Sequence, residues 1–308
     1  MKKNVIVIAG PTASGKSDIA YTMAMRINGE IVNCDSIQLY RYMDIGSAKP
    51  SHEMMTVVPH HMFSIVDPDY EMSVADYQKR AFACIDEILE RGCVPIVVGG
   101  TGLYINSLLY KMDFGGEIDD GTRRAELEKM AEENGAAYMH SYLSAIDPVS
   151  AERIHPNNVR KVIRAIEAYE LGDGIKGMDD LVKNEDYNFH FCVLNLEREW
   201  LYERINARTE ALINRGLIGE VDMLRKMGFS KDLPSMKGIG YKEVYEYLEN
   251  DSDDIDALID KIKKDTRHYA KRQITWFKRY NDASQIDIPR DANVGQIVDI
   301  IFDAFNNK

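Results

Sequence analysis

A glycine-rich segment near the N-terminus constrains the fold of this chain more than any other feature. It follows the apolar run Asn4–Ala9 and consists of Gly10, Pro11, Thr12, Ala13, Ser14, Gly15, Lys16 and Ser17. This G-x-x-x-x-G-K-S pattern between a strand and a helix predicts a phosphate-binding P-loop, because its backbone N–H groups and the helix dipole point at an oxyanion. Lys16 would add positive charge, and Ser17 could bind Mg²⁺. We therefore expect a di- or triphosphate ligand.

Strand and helix patterns alternate along the first third of the chain. Apolar β-branched runs predict strands, and segments with helical periodicity predict helices. The predicted strands cover residues 4–9, 30–33 and 94–98, and the predicted helices cover 16–28 and 73–91. This alternation predicts an α/β fold like that of P-loop NTPases, with helices on both faces of a parallel sheet.

The middle of the chain, residues 115–187, has a different pattern. It offers helices at 122–134, 137–145 and 156–171, and no strand before 189–196. We interpret it as a helical insertion domain within a core made of residues 1–114 and 188–308. In the second half of that core, helices are predicted from about Arg198, Gly219 and Tyr241, then a long helix at 255–280, a strand at 285–288 and a helix at 294–305.

The overall composition excludes several classes of protein. Of the 308 residues, 45% are hydrophobic and 29% are charged, which is typical of a globular chain and not of a disordered one. No apolar run approaches the roughly 20 residues that span a bilayer, so we expect no membrane partner. The four cysteines lie far apart without a CxxC pair, which disfavours a zinc site or a disulfide framework and predicts a cytoplasmic protein.

The net charge of −12 argues against a nucleic-acid partner, but one segment is an exception. Residues 261–280 contain eight Lys or Arg and a single acid, Asp265. At the helical angle of about 100° per residue, five of these cations share one side of the predicted helix: Lys263, Lys264, Arg267, Lys271 and Lys278. Ile262, Tyr269, Trp276 and Tyr280 fall on the opposite side, which we expect to pack on the core. The cationic side either contacts nucleic-acid phosphates or is simply solvated.

Polar groups are also predicted at the ends of two other strands. Asp35 follows the strand 30–33, at the sheet edge where α/β proteins bind ligands, although it could instead cap a helix beginning at Ser36. The turn Gly99–Gly102 follows the strand 94–98, and we expect its Thr101 hydroxyl to face the same crevice. An ATPase or GTPase normally carries a metal-binding acid at such a strand end. Its absence here disfavours a P-loop kinase.

Together these segments resemble the tRNA dimethylallyltransferases. The similarity extends over most of the chain, in the order found in that family, through residues 10–17, 35–50, 58–61, 98–105, 155–167, 238–243 and 271–277. Tyr42 is a departure, since glycine is common there in the family. Because the sequence ends without the Cys/His zinc finger of eukaryotic members, the resemblance is to the bacterial type.

The resemblance implies an activity and a set of site residues. Members transfer a dimethylallyl group from dimethylallyl diphosphate to N6 of the adenosine that follows the anticodon of tRNA on its 3′ side. By resemblance, residues 10–17 and Arg208 bind the diphosphate with Mg²⁺, and Thr101 contacts the reacting centre. Asp35 is the group placed to accept the proton of the adenine amine, which is a poor nucleophile.

The expected tRNA contacts are spread over several segments. The resemblance implies contacts from Asp35, Ser36, Ile37, Gln38, Thr101 and Arg124, and the cationic helix adds Lys264, Arg267 and Lys271. Arg160, Lys161 and Arg164 lie close together on a predicted helix and either bind phosphate or only solvate it. We expect a monomer that binds the anticodon stem-loop. His60 and His61 resemble metal ligands, but no third ligand lies at suitable spacing, so a structural role is favoured.

Three alternatives remain open at this stage. A related enzyme class prenylates free adenine nucleotides, although the helical insertion and the cationic helix have no evident use there. A P-loop small-molecule kinase is the second alternative. A non-enzymatic RNA-binding protein is the third, but it would leave the P-loop beside Asp35 without a purpose.

Overall fold

The computed structural model describes residues 3–112, 122–170 and 181–306. In these residues one sheet of six parallel strands has the order β3-β2-β4-β1-β5-β6. The strands are β1 (Lys3–Ala9), β2 (Gly29–Asn33), β3 (His60–His61), β4 (Val94–Gly99), β5 (Tyr187–Asn195) and β6 (Ser284–Asp287). The predicted α/β architecture with a parallel sheet is therefore confirmed. The strand β3 was not predicted, because two residues are too short to show periodicity.

The helices of the larger unit surround this sheet. They are α1 (Lys16–Ile27), α2 (His52–Val57), α3 (Val74–Glu90), α4 (Gly102–Leu109), α8 (Arg198–Asn214), α9 (Leu217–Lys226), α10 (Tyr241–Glu249), α11 (Ile255–Phe277) and α12 (Val294–Asn306), and a 3₁₀ turn covers Ser235–Lys237. The three helices of the smaller unit are α5 (Thr122–Ile146), α6 (Pro148–Arg153) and α7 (Val159–Glu170).

The chain divides into two compact units, residues 1–109 with 184–308 and residues 110–183. These limits lie a few residues before the expected insertion boundaries at 115 and 187. The difference arises because Tyr110 and Lys183 form an antiparallel bridge and the Lys111 N–H donates to the Val182 carbonyl at 2.7 Å. The smaller unit therefore begins and ends as a paired stem. Parts of the expected insertion, 115–121 and 171–180, lie outside the described residues.

The larger unit buries its core on both sides of the sheet. On one side, apolar residues of α1 and α12, including Ile19, Met23 and Ile301, pack against Ile8 and Ile96 of the central strands. On the α3 side, the rings of Tyr77 and Tyr104 stack with their centroids 3.9 Å apart. Burying each such side chain stabilises the fold by roughly 1.5–3 kcal/mol. The carboxyl ends of the strands are thereby held as a rigid edge.

Helix ends follow local hydrogen bonding in both units. Ser73 and Asp76 form the capping box that begins α3, as their spacing predicts. In the smaller unit, α5 is interrupted at Gly135, where φ is 82°, so it consists of the two predicted helices. The expected start of a helix at Pro156 was wrong, because α7 begins at Val159. The preceding residue, Asn158, accepts a hydrogen bond from the Lys161 N–H through its side chain at 3.4 Å.

Glu30 anchors the N-terminal part of β2 through a buried ion cluster. Its carboxylate accepts hydrogen bonds from Arg91 Nη2 at 2.8 Å and from His61 Nε2 at 2.6 Å. Burial alone would raise the pKa of Glu30, but these hydrogen bonds and the Arg91 charge lower it to about 2. Because the pKa is lower in the folded state, the ionised carboxylate stabilises the fold at neutral pH.

We expect Glu30→Gln to remove an acid-sensitive part of the stability. The contribution is complete above the ordinary glutamate pKa of 4.5 and disappears as the pH falls toward about 2. It amounts to at most about 3 kcal/mol. Urea unfolding between about pH 7 and 2.5 should show the wild-type advantage shrinking with acidity. Glu53→Gln, at an exposed position of α2, is the control. A pH-independent difference would contradict the assignment.

Candidate functional site

The P-loop wraps the N-terminus of α1, as its sequence predicts. Gly15 has a φ of 88°, a left-handed conformation that favours glycine, and α1 starts at the next residue. The N–H groups of Gly15, Lys16 and Ser17 therefore open the helix without intrahelical acceptors. Lys16 Nζ lies over the loop and donates to the Pro11 carbonyl at 2.7 Å. This arrangement suits an anion with several oxygens.

Two side chains from distant helices hold the P-loop from outside. Arg204 of α8 donates from Nε to the Ala13 carbonyl at 2.7 Å, where Ala13 has a φ of 62°. Gln273 of α11 accepts from the Thr12 N–H at 2.8 Å. Neither residue was identified as functional from the sequence, since neither belongs to the loop. For Gln273 the signal was its position within the segment 271–277 that carries the family resemblance.

Asp35 lies at the end of β2, with its carboxylate held by the adjoining turn. Its N–H donates to Asn33 Oδ1 at 2.9 Å, and its own Oδ1 accepts from the Ile37 N–H at 2.9 Å. The alternative role as a helix N-cap was wrong, because residues 36–39 form a turn and not a helix. Within the described residues, Oδ2 accepts no hydrogen bond. One carboxylate oxygen is therefore fixed and the other is available.

The turn Gly99–Gly102 is shaped by close backbone packing. A Cβ atom on Gly99 would overlap the Cys34 carbonyl, one on Gly100 would overlap Gln273 Nε2, and one on Gly102 would overlap the Trp276 indole. The acid that an ATPase carries after this strand would not fit. Thr101 Oγ1 accepts from the Ser36 N–H at 3.0 Å, so it fixes the backbone next to Asp35.

Two adjoining cavities meet at the P-loop and Asp35. Both are lined by Thr12, Asp35, Ser47, Arg208 and Tyr269. The first also includes Lys16, Ser17, Gln38 and Gly100, together with the apolar side chains Ile31, Phe63 and Val98. The second, of about 310 Å³, includes Ser36, Ile37 and residues 237–241. Thr101 lines neither cavity. One chamber therefore offers phosphate-binding groups and the other offers space beside Asp35.

The first cavity carries an excess of positive charge, because Lys16 and Arg208 line it and Asp35 is its acidic residue. Arg208 of α8 forms no hydrogen bond or ion pair within the described part of the chain, although it is largely enclosed. Burial lowers the pKa of Arg208, with Arg204 and Arg215 contributing, while Asp35 opposes the shift. Burial and the nearby Arg208 lower the pKa of Lys16 to about 7. A guanidinium stays charged in proteins, so the first cavity attracts an anion.

Tyr269 is a further site residue that the sequence interpretation placed elsewhere. It was assigned to the core-facing side of the long helix, yet it lines both cavities. Burial, with Asp35 adding to it, raises the pKa of Tyr269, so its phenol remains protonated. Angular position on a helix separates inside from outside, and it does not distinguish a core from a cavity wall. This explains the misassignment.

The segment 35–50 is held over the site by a carboxylate. Glu220 of α9 accepts from three consecutive N–H groups, those of Asp44 (2.8 Å), Ile45 (2.6 Å) and Gly46 (2.9 Å). Tyr241 Oη donates to Glu220 at 2.7 Å, and a Cβ on Gly46 would lie 2.6 Å from the Tyr241 ring. Gln38 donates to the Ser47 carbonyl at 3.0 Å.

Tyr42, the departure from the family pattern, lies in this segment with a φ of 64°. Glycine adopts this left-handed conformation without steric cost, which accounts for its frequency there. The tyrosine side chain is 43% exposed. The backbone conformation of the segment therefore tolerates this residue without burying it.

The residues expected to contact tRNA lie in different environments. In the smaller unit, Arg124 forms a bidentate ion pair with the buried Glu167, with distances of 2.9 and 2.7 Å. Arg160, Lys161 and Arg164 are exposed on α7 and form no ion pair within the described residues. The role of Arg124 in this structure is to hold α5 against α7, and any contact with RNA would be additional.

The cationic side of α11 is narrower than expected. Lys264, Lys271 and Lys278 are exposed, but Lys263 Nζ pairs with Glu210 at 2.6 Å. Arg267 Nη1 donates to Asn206 Oδ1 at 2.7 Å. Ile262 and Tyr280 are buried, as expected for the core side, and Phe277 is buried as well.

The described residues contain no group of three or more His, Cys, Asp or Glu side chains that could hold a metal ion. His61 pairs with Glu30, and His60 Nδ1 lies 2.7 Å from the Val58 carbonyl, in agreement with a structural role. Ser17 at the P-loop remains the candidate metal contact. None of the helices in the described ranges has the length and apolarity needed to cross a membrane.

Comparison with known proteins shows similarity over most of the chain. The model of the IPP transferase family matches residues 38–280, and a model described as isopentenyl transferase matches residues 3–60. A tRNA dimethylallyltransferase of Alkaliphilus oremlandii is 50% identical over 284 residues, which are 92% of this chain and 90% of that protein. One of Clostridioides difficile is 46% identical over 299 residues and 96% of each chain.

Solved structures show the same relationship. The full-length tRNA isopentenylpyrophosphate transferase of Bacillus halodurans is 40% identical, with a TM-score of 0.72 over 99% of this chain and 98% of that one. A eukaryotic dimethylallyltransferase studied while acting on tRNA is 27% identical, with a TM-score of 0.83 over 99% of this chain and 79% of that one. Since the family model and these relatives both cover most of its length, the chain belongs to the IPP transferase family, together with the tRNA dimethylallyltransferases.

Proposed function

We propose that this enzyme transfers a dimethylallyl group from dimethylallyl diphosphate to N6 of the adenosine on the 3′ side of the tRNA anticodon. The observation that carries the proposal is the shared wall of the two cavities. There the P-loop, the unpaired Arg208 and the Asp35 carboxylate converge. The relatives named as tRNA dimethylallyltransferases support tRNA as the acceptor.

The P-loop and its cations stabilise the leaving group. As the bond between C1 of the dimethylallyl group and the diphosphate oxygen breaks, its electron pair remains on the diphosphate. The N–H groups at the start of α1, Lys16 and Arg208 compensate that growing charge. Preorganised donors of this kind commonly contribute about 10²–10³ each in rate. The apolar Ile31, Phe63 and Val98 in the first cavity suit the hydrocarbon part.

The residues present fit a Mg²⁺ ion that is held mainly by the substrate. Mg²⁺ commonly binds through one or two protein oxygens together with phosphate oxygens and water. Ser17 lines the first cavity with a hydroxyl, and the described residues offer no carboxylate cluster. The ion would be held by Ser17 and the diphosphate, where it would add positive charge beside the leaving group.

Asp35 acts on the acceptor. The N6 amine of adenine is a weak nucleophile because its lone pair is delocalised into the ring. As N6 bonds to C1, one N6 hydrogen passes to the unpaired Asp35 oxygen, which leaves a neutral secondary amine. Ser36 N–H and Thr101 Oγ1 keep the turn that carries Asp35 in place. The target base must leave the stacked anticodon loop to reach this pocket.

The remaining parts of the chain serve the large acceptor. We assign the insertion, 115–187, and the exposed cations of α7 and α11 to contacts with the anticodon stem-loop. A free nucleotide would need neither feature, so the alternative of adenine nucleotide prenylation is disfavoured. We further propose a monomer that works in the cytoplasm, in keeping with four cysteines that lie far apart in the sequence.

One assay tests both the activity and the base. Purified enzyme with radiolabelled dimethylallyl diphosphate and Mg²⁺ should label unmodified tRNA and not AMP. Asp35→Asn keeps the shape but cannot accept the proton, so its single-turnover rate should fall by about 10²–10⁴, with tRNA affinity within a few-fold.

Asp86→Asn is the control for that assay, because Asp86 pairs with Lys3 and lines neither cavity. Labelling of AMP in place of tRNA would refute the proposed acceptor. A rate for Asp35→Asn within threefold of wild type would remove Asp35 from the mechanism.

Diphosphate affinity should depend on the protonation of Lys16. With a pKa of about 7 in the free enzyme, Lys16 loses its proton as the pH rises, whereas a bound anion favours the charged form. Above about pH 7, binding must therefore take up a proton, and affinity should fall by up to about tenfold per pH unit. Calorimetry with inorganic diphosphate between about pH 6 and 9 measures this.

Lys16→Arg is the matched variant, because its guanidinium stays charged over that range. Titration of the ligand itself affects both proteins equally, so the difference between them isolates Lys16. Parallel pH profiles for the two proteins would contradict the assignment.

Three cations of α11 should serve tRNA and not the diphosphate: the exposed Lys264 and Lys271, and Arg267, which also donates to Asn206. Replacing Lys264, Arg267 and Lys271 together by Gln should raise the apparent KM for tRNA and flatten its salt dependence. Each lost phosphate contact should reduce the log–log slope by about 0.7–0.9. Filter binding across a salt series measures this slope, and the affinity for dimethylallyl diphosphate should hardly change.

A charge-matched control separates this effect from a change in net charge. Lys79, Arg80 and Lys226 are exposed on α3 and α9, and their replacement by Gln removes the same three charges. An unchanged slope in the α11 variant, or an equal change in the control, would assign the α11 cations to solubility alone.

A further inference from the structure

A single buried side chain joins the P-loop to the turn after β4. Gln273, on the inner side of α11, is 5% exposed. Its Oε1 accepts from the Thr12 N–H at 2.8 Å, and its Nε2 donates to the Gly100 carbonyl at 2.9 Å. Both partners are backbone groups, so the bridge holds the loops themselves and not their side chains.

The orientation of this amide is dictated by its partners. The Thr12 N–H can only donate and the Gly100 carbonyl can only accept, so a reversed Gln273 amide would lose both hydrogen bonds. Gly100 has no side chain, and a Cβ there would overlap Nε2. The fit is therefore specific on both sides.

The bridge continues from Gly100 to the proposed base. The next residue, Thr101, donates its N–H to the Cys34 carbonyl at 3.2 Å and accepts from the Ser36 N–H through Oγ1 at 3.0 Å. These two contacts lie on either side of Asp35 in the sequence. Hydrogen bonds and the peptide bonds between neighbouring residues thus connect Thr12 to Asp35 without a gap.

The commitment of the Thr12 N–H is notable in a P-loop, where N–H groups usually face the anion. Here that donor faces Gln273, although Thr12 lines both cavities. The N–H groups of Gly15, Lys16 and Ser17 remain for the diphosphate. Thr12 is therefore positioned by a side chain of α11.

We propose that Gln273 is a positioning residue that sets the spacing between the bound diphosphate and the Asp35 carboxylate. The inference rests on the proposed prenyl transfer. In that reaction C1 lies between the leaving oxygen and N6, so the two loops must hold both substrates in register. Misplacement by about 1 Å can cost 10²-fold in rate, while binding to either loop alone is unaffected.

The test is Gln273→Met, which keeps the volume and removes both hydrogen bonds. We expect the single-turnover rate of prenyl transfer to fall by about 10- to 100-fold. The Kd values for inorganic diphosphate and for tRNA should stay within threefold of wild type. A rate within twofold of wild type, or a loss of rate explained fully by weaker binding, would overturn the proposal.

A control on the same helix separates positioning from stability. Phe277 is buried one turn further along α11 and lines neither cavity, so Phe277→Leu should lower the Tm without slowing transfer. Gln273→Glu keeps an acceptor for Thr12 but places a carboxylate oxygen against the Gly100 carbonyl, so it should not restore the rate lost in Gln273→Met. Equal rate losses in Phe277→Leu and Gln273→Met at matched Tm would show a merely structural role.

A double-mutant cycle tests the bridge itself. Gly100→Ala should displace the Gln273 amide, so its effect on the rate should be largely lost in a Gln273→Met background. Full additivity would contradict the bridge. Hydrogen exchange at the Thr12 amide should accelerate in Gln273→Met, independently of turnover. If wild type shows no prenyl transfer, the proposed function fails, whereas unchanged exchange at Thr12 refutes the bridge.

Discussion

The close approach of Gly99 to the Cys34 carbonyl, where a Cβ atom would lie 1.9 Å from the oxygen, is the constraint on which the rest of the site depends. Because β2 and β4 are neighbours in a parallel sheet, their ends must approach each other where the chains turn away. Only glycine allows this approach without displacing Cys34. The adjoining residues, Asp35 and Thr101, are thereby brought together by backbone geometry, and α11 closes over the turn through Gln273 and Trp276.

A second organising principle is electrostatic. The chain carries a net charge of −12, yet Lys16 and Arg208 line the first cavity, and Asp35 is an acidic neighbour of both. Enclosing two cations costs free energy, which is expressed in their lowered pKa values. An anionic ligand reverses that cost on binding. A ligand of high negative charge, such as a diphosphate, would therefore bind more favourably than a neutral one.

The sequence predicted the parts of this molecule that depend on local chemistry. The P-loop, the strand–helix alternation and the Ser73 cap each follow from residues close together in the chain, and the structure contains all three. Contacts between residues far apart in the chain could not be predicted. Gln273 and Tyr269 become site residues only because α11 crosses the sheet edge, and Arg124 becomes a partner of Glu167 only when α5 packs on α7. The helical angle predicted that α11 has a cationic side. It could not predict that Glu210 pairs with Lys263 and that Asn206 accepts from Arg267 on that side.

The Glu220 carboxylate has a consequence for ligand selection. Three successive N–H groups converging on one point form a concave anion receptor, much as a P-loop does. In the segment 44–46 that receptor already holds an internal counter-ion, and Tyr241 donates a further hydrogen bond to the same carboxylate. A polyphosphate or an RNA backbone phosphate would have to displace the Glu220 carboxylate to bind these N–H groups. Of the two oxyanion receptors described here, at the P-loop and at residues 44–46, the second is occupied by the Glu220 side chain, so the P-loop is the one open to a diphosphate.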